Sequence, residues 1–243
     1  MKVLNENLPT RNAVILALGL VIGLSALGSL LASAAIKYRE LERTVTVKGL
    51  SVREFPADVV IWPIQFTSAS NELGELYQSV DRNANLINEF LLHNGIEQAA
   101  ISRAEPAIVD KSAQQYGGGT PAPFRFTATQ AVTVYSKEIE LVQGVKAKLS
   151  ELGKKGIVFN GSNYDSQTDY LFTSLNDIKP EMIEEATENA RSVALKFAGD
   201  SNSRLGKIKS ASQGQFSINP RDKNNPHIKK VRVVSTVQYY LID

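Results

Sequence analysis

Between Arg11 and Lys37 the chain carries no charged residue for 25 positions. No other stretch limits the possible folds as strongly. Ala13–Ile36 (AVILALGLVIGLSALGSLLASAAI) is apolar or small throughout. As an α-helix it extends about 36 Å at about 1.5 Å per residue, enough to cross a hydrocarbon layer of roughly 30 Å. Backbone amides cross lipid only when they bond internally, so the segment is expected to be helical. Lys2 and Arg11 precede it, and basic flanks remain on the cytoplasmic side. The expected layout is a cytoplasmic lead over 1–12, one transmembrane anchor over 13–36 and an exported domain over 37–243. A cleaved signal peptide competes with this, because Ala32-Ser33-Ala34 has the form of a cleavage site. The apolar run of about 19 residues before it exceeds the usual core of about 7–15, which favours the uncleaved anchor. Gly19, Gly23, Ser25, Ser29 and Ser33 place small residues at four-residue spacing, a pattern that permits close helix–helix contact.

Composition then excludes several chemistries. The chain has 243 residues and no Cys, so it holds no disulfide framework, no thiol nucleophile and no Cys-ligated metal. His93 and His227 are its two histidines, too few for a poly-histidine metal site within one chain. Residues 37–243 carry 25 basic and 24 acidic side chains, a net charge of +1 that argues against a dedicated nucleic-acid binder.

The exported part reads as alternating strands and helices. Thr44–Leu50 alternates as a short strand, Arg53–Asp58 reads as a turn around Pro56, and Val59–Ser68 is a strand with Val60, Trp62, Ile64 and Phe66 on one face. Pro63 has no N–H, which predicts an edge or a bulge there. A long helix follows over about Glu72–His93, with Asn71 as its N-cap and Asn94-Gly95-Ile96 as its C-terminal clasp. Ile101–Gln114 and Phe124–Tyr135 read as strands around the loop Gln115–Pro123. A second helix spans Lys137–Leu152, with Ile139, Val142, Leu149 and Leu152 inward and Gly153 as its stop. Gly156–Phe172 is largely extended. A third helix starts near Pro180, with Ile183, Ala186, Ala190, Val193, Ala194 and Phe197 as its inner stripe. Lys207–Ile218 and Lys230–Ile242 are closing strands around the loop Asn219–Pro226. The order strand, helix, strand, loop, strand occurs twice, over about 44–136 and 156–243. The expected fold is therefore α+β, built from duplicated β-α-β-β units that share one core, with a mainly antiparallel sheet covered by helices.

No catalytic, cofactor-binding or metal-ligating residue is assigned. His93 sits at a helix end, where it interacts with the last carbonyls, and His227 sits in a solvated loop beside Pro226. Gly117-Gly118-Gly119-Thr120 lacks the Gly-Lys-Ser/Thr of a phosphate loop and reads as a flexible hairpin loop. Glu184-Glu185 complements a helix N-terminus, and Asp165, Asp169 and Asp177 follow no fixed spacing. Arg221, Lys223, Lys229, Lys230 and Arg232 form a basic cluster, read as guards against unwanted pairing on an edge strand. Tyr239 and Tyr240 read as core or subunit-contact residues.

Several phrases, in this order and spacing, resemble the SIMPL-domain family (the former domain of unknown function 541). They are Thr46-Val-Lys-Gly49, Phe55-Pro-Ala-Asp58, Asn94-Gly95-Ile96, Tyr170-Leu-Phe172, Glu185-Ala-Thr-Glu-Asn-Ala-Arg191 and Arg204-Leu-Gly-Lys-Ile208. The likeness covers about Thr44 to Leu241. Thr187, Glu188 and Asn189 interrupt the usual Ala-rich third helix, and Trp62-Pro63 and Gly117–Gly119 look like subgroup features. The resemblance implies an α+β domain of the bacterial cell envelope without assigned catalytic residues. It also implies kinship with periplasmic immunogenic proteins, with proteins of oxidative-stress tolerance and with a relative that assembles into a large channel-like ring.

The resulting expectation is a non-enzymatic protein of the bacterial inner membrane, single-pass, with its C-terminal domain in the periplasm and its copies assembled into a homo-oligomeric ring. It needs no cofactor, touches lipid through residues 13–36 and binds no nucleic acid. The alternative is a periplasmic binding or chaperone-like module that uses loops 115–123 and 219–226.

Overall fold

The structure, a computed structural model, describes residues 8–41, 43–113, 123–160 and 166–242. It begins with α1 (Leu8–Leu41), whose segment Asn12–Tyr38 is long and apolar enough to cross a membrane and is fully exposed. The Ser29 and Ser33 hydroxyls donate to the Ala26 and Ser29 carbonyls at 2.8 Å, so these polar groups are satisfied inside the helix. Beyond it the protein is α+β with antiparallel sheets, divided into two compact units.

One unit comprises residues up to Ser51, Glu181–Gln215 and Val233 onward. Its sheet has the order β1 (Thr44–Pro56), β10 (Ile228–Ile242), β8 (Arg204–Gln213). β10 and β8 pair antiparallel from Ser235↔Gln213 to Ile242↔Arg204, with register shifts around Tyr239. The helix α5 (Leu175–Asp200) covers this sheet through Met182, Ala186, Ala190, Ala194 and Ala198, all buried. The reason is spacing. A Cβ on Gly49 of β1 would collide with the Ala186 carbonyl oxygen and the Ala190 backbone nitrogen, so strand and helix meet backbone to backbone. Only alanine fits that distance, and Val193 and Phe197, expected inward, are exposed instead. Asn189 Nδ2 donates to the Leu50 carbonyl at 2.9 Å and Ser51 Oγ to Glu185 at 3.0 Å, which pins the same contact. The Glu185 carboxylate is thus committed to β1 rather than to a helix end.

The other unit comprises Val52–Pro180 and Phe216–Arg232. Its sheet is built on β2 (Val59–Ser70) and β5 (Phe126–Ser136), paired without a shift from Val60↔Ser136 to Ser70↔Phe126. β3 (Ile101–Arg103) and β4 (Ala107–Asp110) pair with β5, and β6 (Val158–Phe159) and β7 (Asp169–Leu171) pair with β2. The expected single strand Ile101–Gln114 is broken. Arg103 faces Val132 and Ala107 faces Thr129, so three residues oppose two, and Pro106 lies in the resulting bulge. The helix α2 (Leu73–His93) lays Leu76, Val80, Ala84, Ile87 and Leu91 on the core with Trp62, Ile64, Phe66, Val132 and Val134. The expected second helix is two short ones, α3 (Ile139–Ala147) and α4 (Ser150–Lys154).

Three helix ends close alike. Gly95 (φ +91°) donates to Leu92 and Ile96 to Leu91; Gly156 (φ +93°) donates to Gly153 and Ile157 to Leu152; Asn202 (φ 52°) donates to Gly199 and Ser203 to Ala198. A residue in the left-handed region lets the chain turn back and satisfy the last carbonyls. The predicted clasp at Gly95-Ile96 is present, whereas the stop expected at Gly153 falls at Gly156.

Other expectations shift. β1 runs on through Pro56 instead of turning after Leu50. Asn71 does not cap α2: Glu72 holds the cap position, and Asn71 Oδ1 accepts from the Arg125 N–H at 2.9 Å. α5 starts five residues before Pro180 (180 − 175 = 5), because an anchor outside the helix fixes its first turn. The buried apolar residues form two clusters, one in each compact unit, and each draws on both expected repeats: Val60 with Tyr170 in one, Val47 with Val237 in the other. Replacing Gly49 with Ala is expected to cost about 3 kcal/mol, since the two nearest of the three atoms in the way are backbone. Chemical denaturation of Gly49→Ala against wild type measures it, with Gly74→Ala, which meets open space, as the control.

Candidate functional site

The site arises from one missing hydrogen. Gln65 turns its carbonyl to the outer side of β2, where it accepts from the Asn160 N–H at 2.9 Å. Alternate residues of a strand face the same side, so the imide nitrogen of Pro63 faces outward too. A strand passing there would leave an acceptor unpaired. β6 pairs with β2 at Phe66 and Thr67, β7 pairs with it at Val59–Ile61, and the stretch Trp62–Gln65 lies between them. Among the described residues Pro63 thus stands in a gap of the pairing on this side of β2.

The gap opens into a cavity of about 950 Å³. Trp62, Ile64, Leu149, Phe159 and Tyr170 give it an apolar wall, Gln65, Asn160 and Thr168 a polar one, and Lys146 of α3 stands at its mouth. Lys146 Nζ donates to Thr168 Oγ1 at 2.6 Å. Although the residue as a whole is exposed, surrounding atoms crowd its ammonium, and burial lowers its pKa. Gln143 Nε2 donates to the Tyr170 hydroxyl at 3.5 Å. Pro220, Asp222, Lys223 and Pro226 close the remaining side, so the loop 219–226 walls this cavity. Residues 115–122 of the other candidate loop lie outside the described residues.

Phrases far apart in sequence converge next to the cavity. Asp58 accepts from the Thr173 N–H at 2.8 Å and from the Ser174 N–H and hydroxyl at 2.9 Å, and so caps the start of α5. Phe55 stacks on Phe172 with ring centroids 5.4 Å apart. His227 is not a solvated loop residue: its ring meets Tyr170 edge-on at 5.9 Å, and its carbonyl accepts from the Ala57 N–H at 2.7 Å. His93 lies exposed at the last residue of α2, far in sequence from any other candidate. Among the described residues no group of three His, Asp or Glu is arranged to hold a metal ion.

The basic cluster disperses. Arg221 pairs with Asp222 at 2.9 Å and with Glu54 at 3.7 Å. Lys229 is buried, and burial lowers its pKa against the pull of Asp169. β10 is not an edge: it pairs with β9 (Ser217–Pro220) from Lys229 to Arg232 and with β8 farther on, and it neighbours β1. Its lysines therefore guard no free edge. Tyr239 is in the core of its unit, as expected. Asp169 lies on β7 and Asp177 in the first turn of α5, while Asp165 and Gly117–Gly119 fall outside the described residues.

These observations define an α+β domain behind an apolar N-terminal helix, with a ligand-sized cavity at a break in its larger sheet. The chain belongs to the SIMPL family, proteins of unknown function (DUF541), whose profile matches residues 45–238. Comparison with curated proteins gives no match.

Burial pushes the Asp58 carboxyl up, and the bonds from Thr173 and Ser174 outweigh it, so its pKa lies below the ordinary value of 3.8. A carboxyl with a lower pKa in the folded than in the unfolded state stabilises the protein above the ordinary carboxylate range. That contribution vanishes as pH falls through the folded value. Asp58→Ala is expected to lose about 1–2 kcal/mol near pH 7. The deficit against wild type should shrink on acidification below about pH 4, measured by denaturation across pH.

Proposed function

We propose that the protein is a membrane-tethered, non-catalytic component of the bacterial envelope that self-associates into a high-order, ring- or channel-like oligomer linked to oxidative or envelope stress tolerance. The observation that carries this reading is the outer side of β8. Among the described residues β8 pairs with β10 alone, nearly all its residues are exposed, and Ile208 on it, with Leu195 and Ile242 lining the same groove, is about half exposed, as they are. An open strand edge with apolar neighbours is a template for another chain. α1 supports the tether: its span is apolar on every side, and Lys2 and Arg11 favour an N-terminus that stays cytoplasmic, with the rest in the periplasm. The repeated order of elements, β2-α2-β3/β4-β5 and β7-α5-β8/β9-β10, supports an origin by duplication.

Light scattering on detergent-solubilised protein should give a mass many times 26.6 kDa. Ile208→Glu should lower it towards one subunit by placing a charge on the edge. A wild-type monomer at micromolar concentration overturns the assembly. N-terminal sequencing of protein recovered from membranes tests the tether: a start at or near Ile36 would show cleavage.

A second reading is a periplasmic binding or chaperone-like module that uses loops 115–123 and 219–226. The observation in its favour is that residues of the 219–226 loop wall the cavity at Pro63.

A further inference from the structure

The cavity brings three chemistries together. Trp62, Phe159 and Tyr170 give it an aromatic lining. Lys146 and the Thr168 hydroxyl sit together at its mouth, and among the described residues the Lys146 ammonium meets no carboxylate. Gln65 lines the same cavity, and its amide oxygen is shielded from water without a hydrogen-bond partner. An unpartnered buried acceptor is costly, and a ligand donor relieves that cost.

The charge balance favours an anion. The rim carboxylate of Asp222 is already answered by Arg221 at 2.9 Å and by the Asn224 and Asn225 backbone N–H groups. The Arg221 bond, followed by that from Asn225, draws the Asp222 pKa down to about 2, so it remains an engaged anion. Lys223 adds a second cation at the rim. A crowded ammonium gains most from a partner that restores the solvation it has lost. A pocket of this size that sets Leu149 and Phe159 beside its polar groups suits an organic molecule better than an inorganic ion.

We infer that this cavity binds a small organic monoanion: a flat aromatic or apolar body against Phe159 and Leu149, a carboxylate on Lys146 and Thr168, and a hydroxyl or N–H donating to Gln65. The inference rests on the second reading above and adds the class of ligand.

Trp62, the sole tryptophan of the chain, is buried where it borders the cavity, so its emission senses changes in that wall. The full chain in detergent would be titrated with 4-hydroxyphenylacetate, 4-hydroxyphenylacetamide and tyramine, which share one body and one phenol and carry charges of about −1, 0 and +1. The acid is expected to change Trp62 emission saturably, with a Kd about tenfold below that of the amide and with tyramine weaker still. Lys146→Met should abolish the preference for the acid and leave the amide's affinity intact, which also verifies folding. Lys148→Met, whose ammonium contacts Asn94 instead, should leave all three unchanged. If the amide or tyramine binds as tightly as the acid, the cavity is a binding site but the ligand class is wrong. If none of the three alters Trp62 emission, the binding reading itself fails. A preference that survives Lys146→Met removes the lysine from its assigned role.

Discussion

A proline nitrogen in the middle of β2 governs the larger unit. Pro63 pairs normally in register with Thr133 on the β5 side, yet on its other side it offers nothing for a neighbouring strand to accept. The ladder on that side is therefore divided into β6 and β7. Among the described residues no strand pairs with Trp62, Pro63 or Ile64 on that side. Trp62 and Gln65 flank the proline and become lining residues for the same reason.

A different constraint, steric rather than hydrogen-bonding, orders the smaller unit. Gly49 brings β1 against the backbone of α5, and the helix answers with alanines at 186, 190, 194 and 198. Close approach excludes large side chains from the interface, so Val193, Leu195 and Phe197 turn outward. The apolar surface beside β8 is thus a by-product of the tight contact on the opposite side of the helix. Packing and the proposed self-association draw on the same segment.

Much of this was legible in the sequence where the cause is local. The length of α2, its Gly95-Ile96 clasp and the buried face Val60–Trp62–Ile64–Phe66 all follow from spacing and turn chemistry within a few residues. The failures have distant causes. Asp58 caps a helix that begins more than a hundred residues later, so Pro180 looked like a start. The inner stripe of α5 is legible at Ala186, Ala190 and Ala194 and fails at Val193 and Phe197, because nothing local announces that a glycine in β1 sets the distance. Pro63 was recognised as an obstacle to pairing. Its solution, a gap that becomes a cavity, needs the positions of two short strands with little pattern of their own. Lys146 and Gln65 carried no signal at all, being one surface lysine and one strand glutamine among many.

The burial of Met182 has a chemical consequence. The chain contains no cysteine and two methionines, and beyond Met1 its sulfur is a single thioether. That side chain is wholly inaccessible on the inner face of α5. An oxidant arriving from solvent meets no exposed thiol or thioether on the described residues beyond α1, so the usual ladder from sulfur to sulfoxide has no accessible first rung. Oxidation at Met182 requires α5 to lift from its sheet. The sulfoxide content of recovered protein would thus record how often that helix has opened.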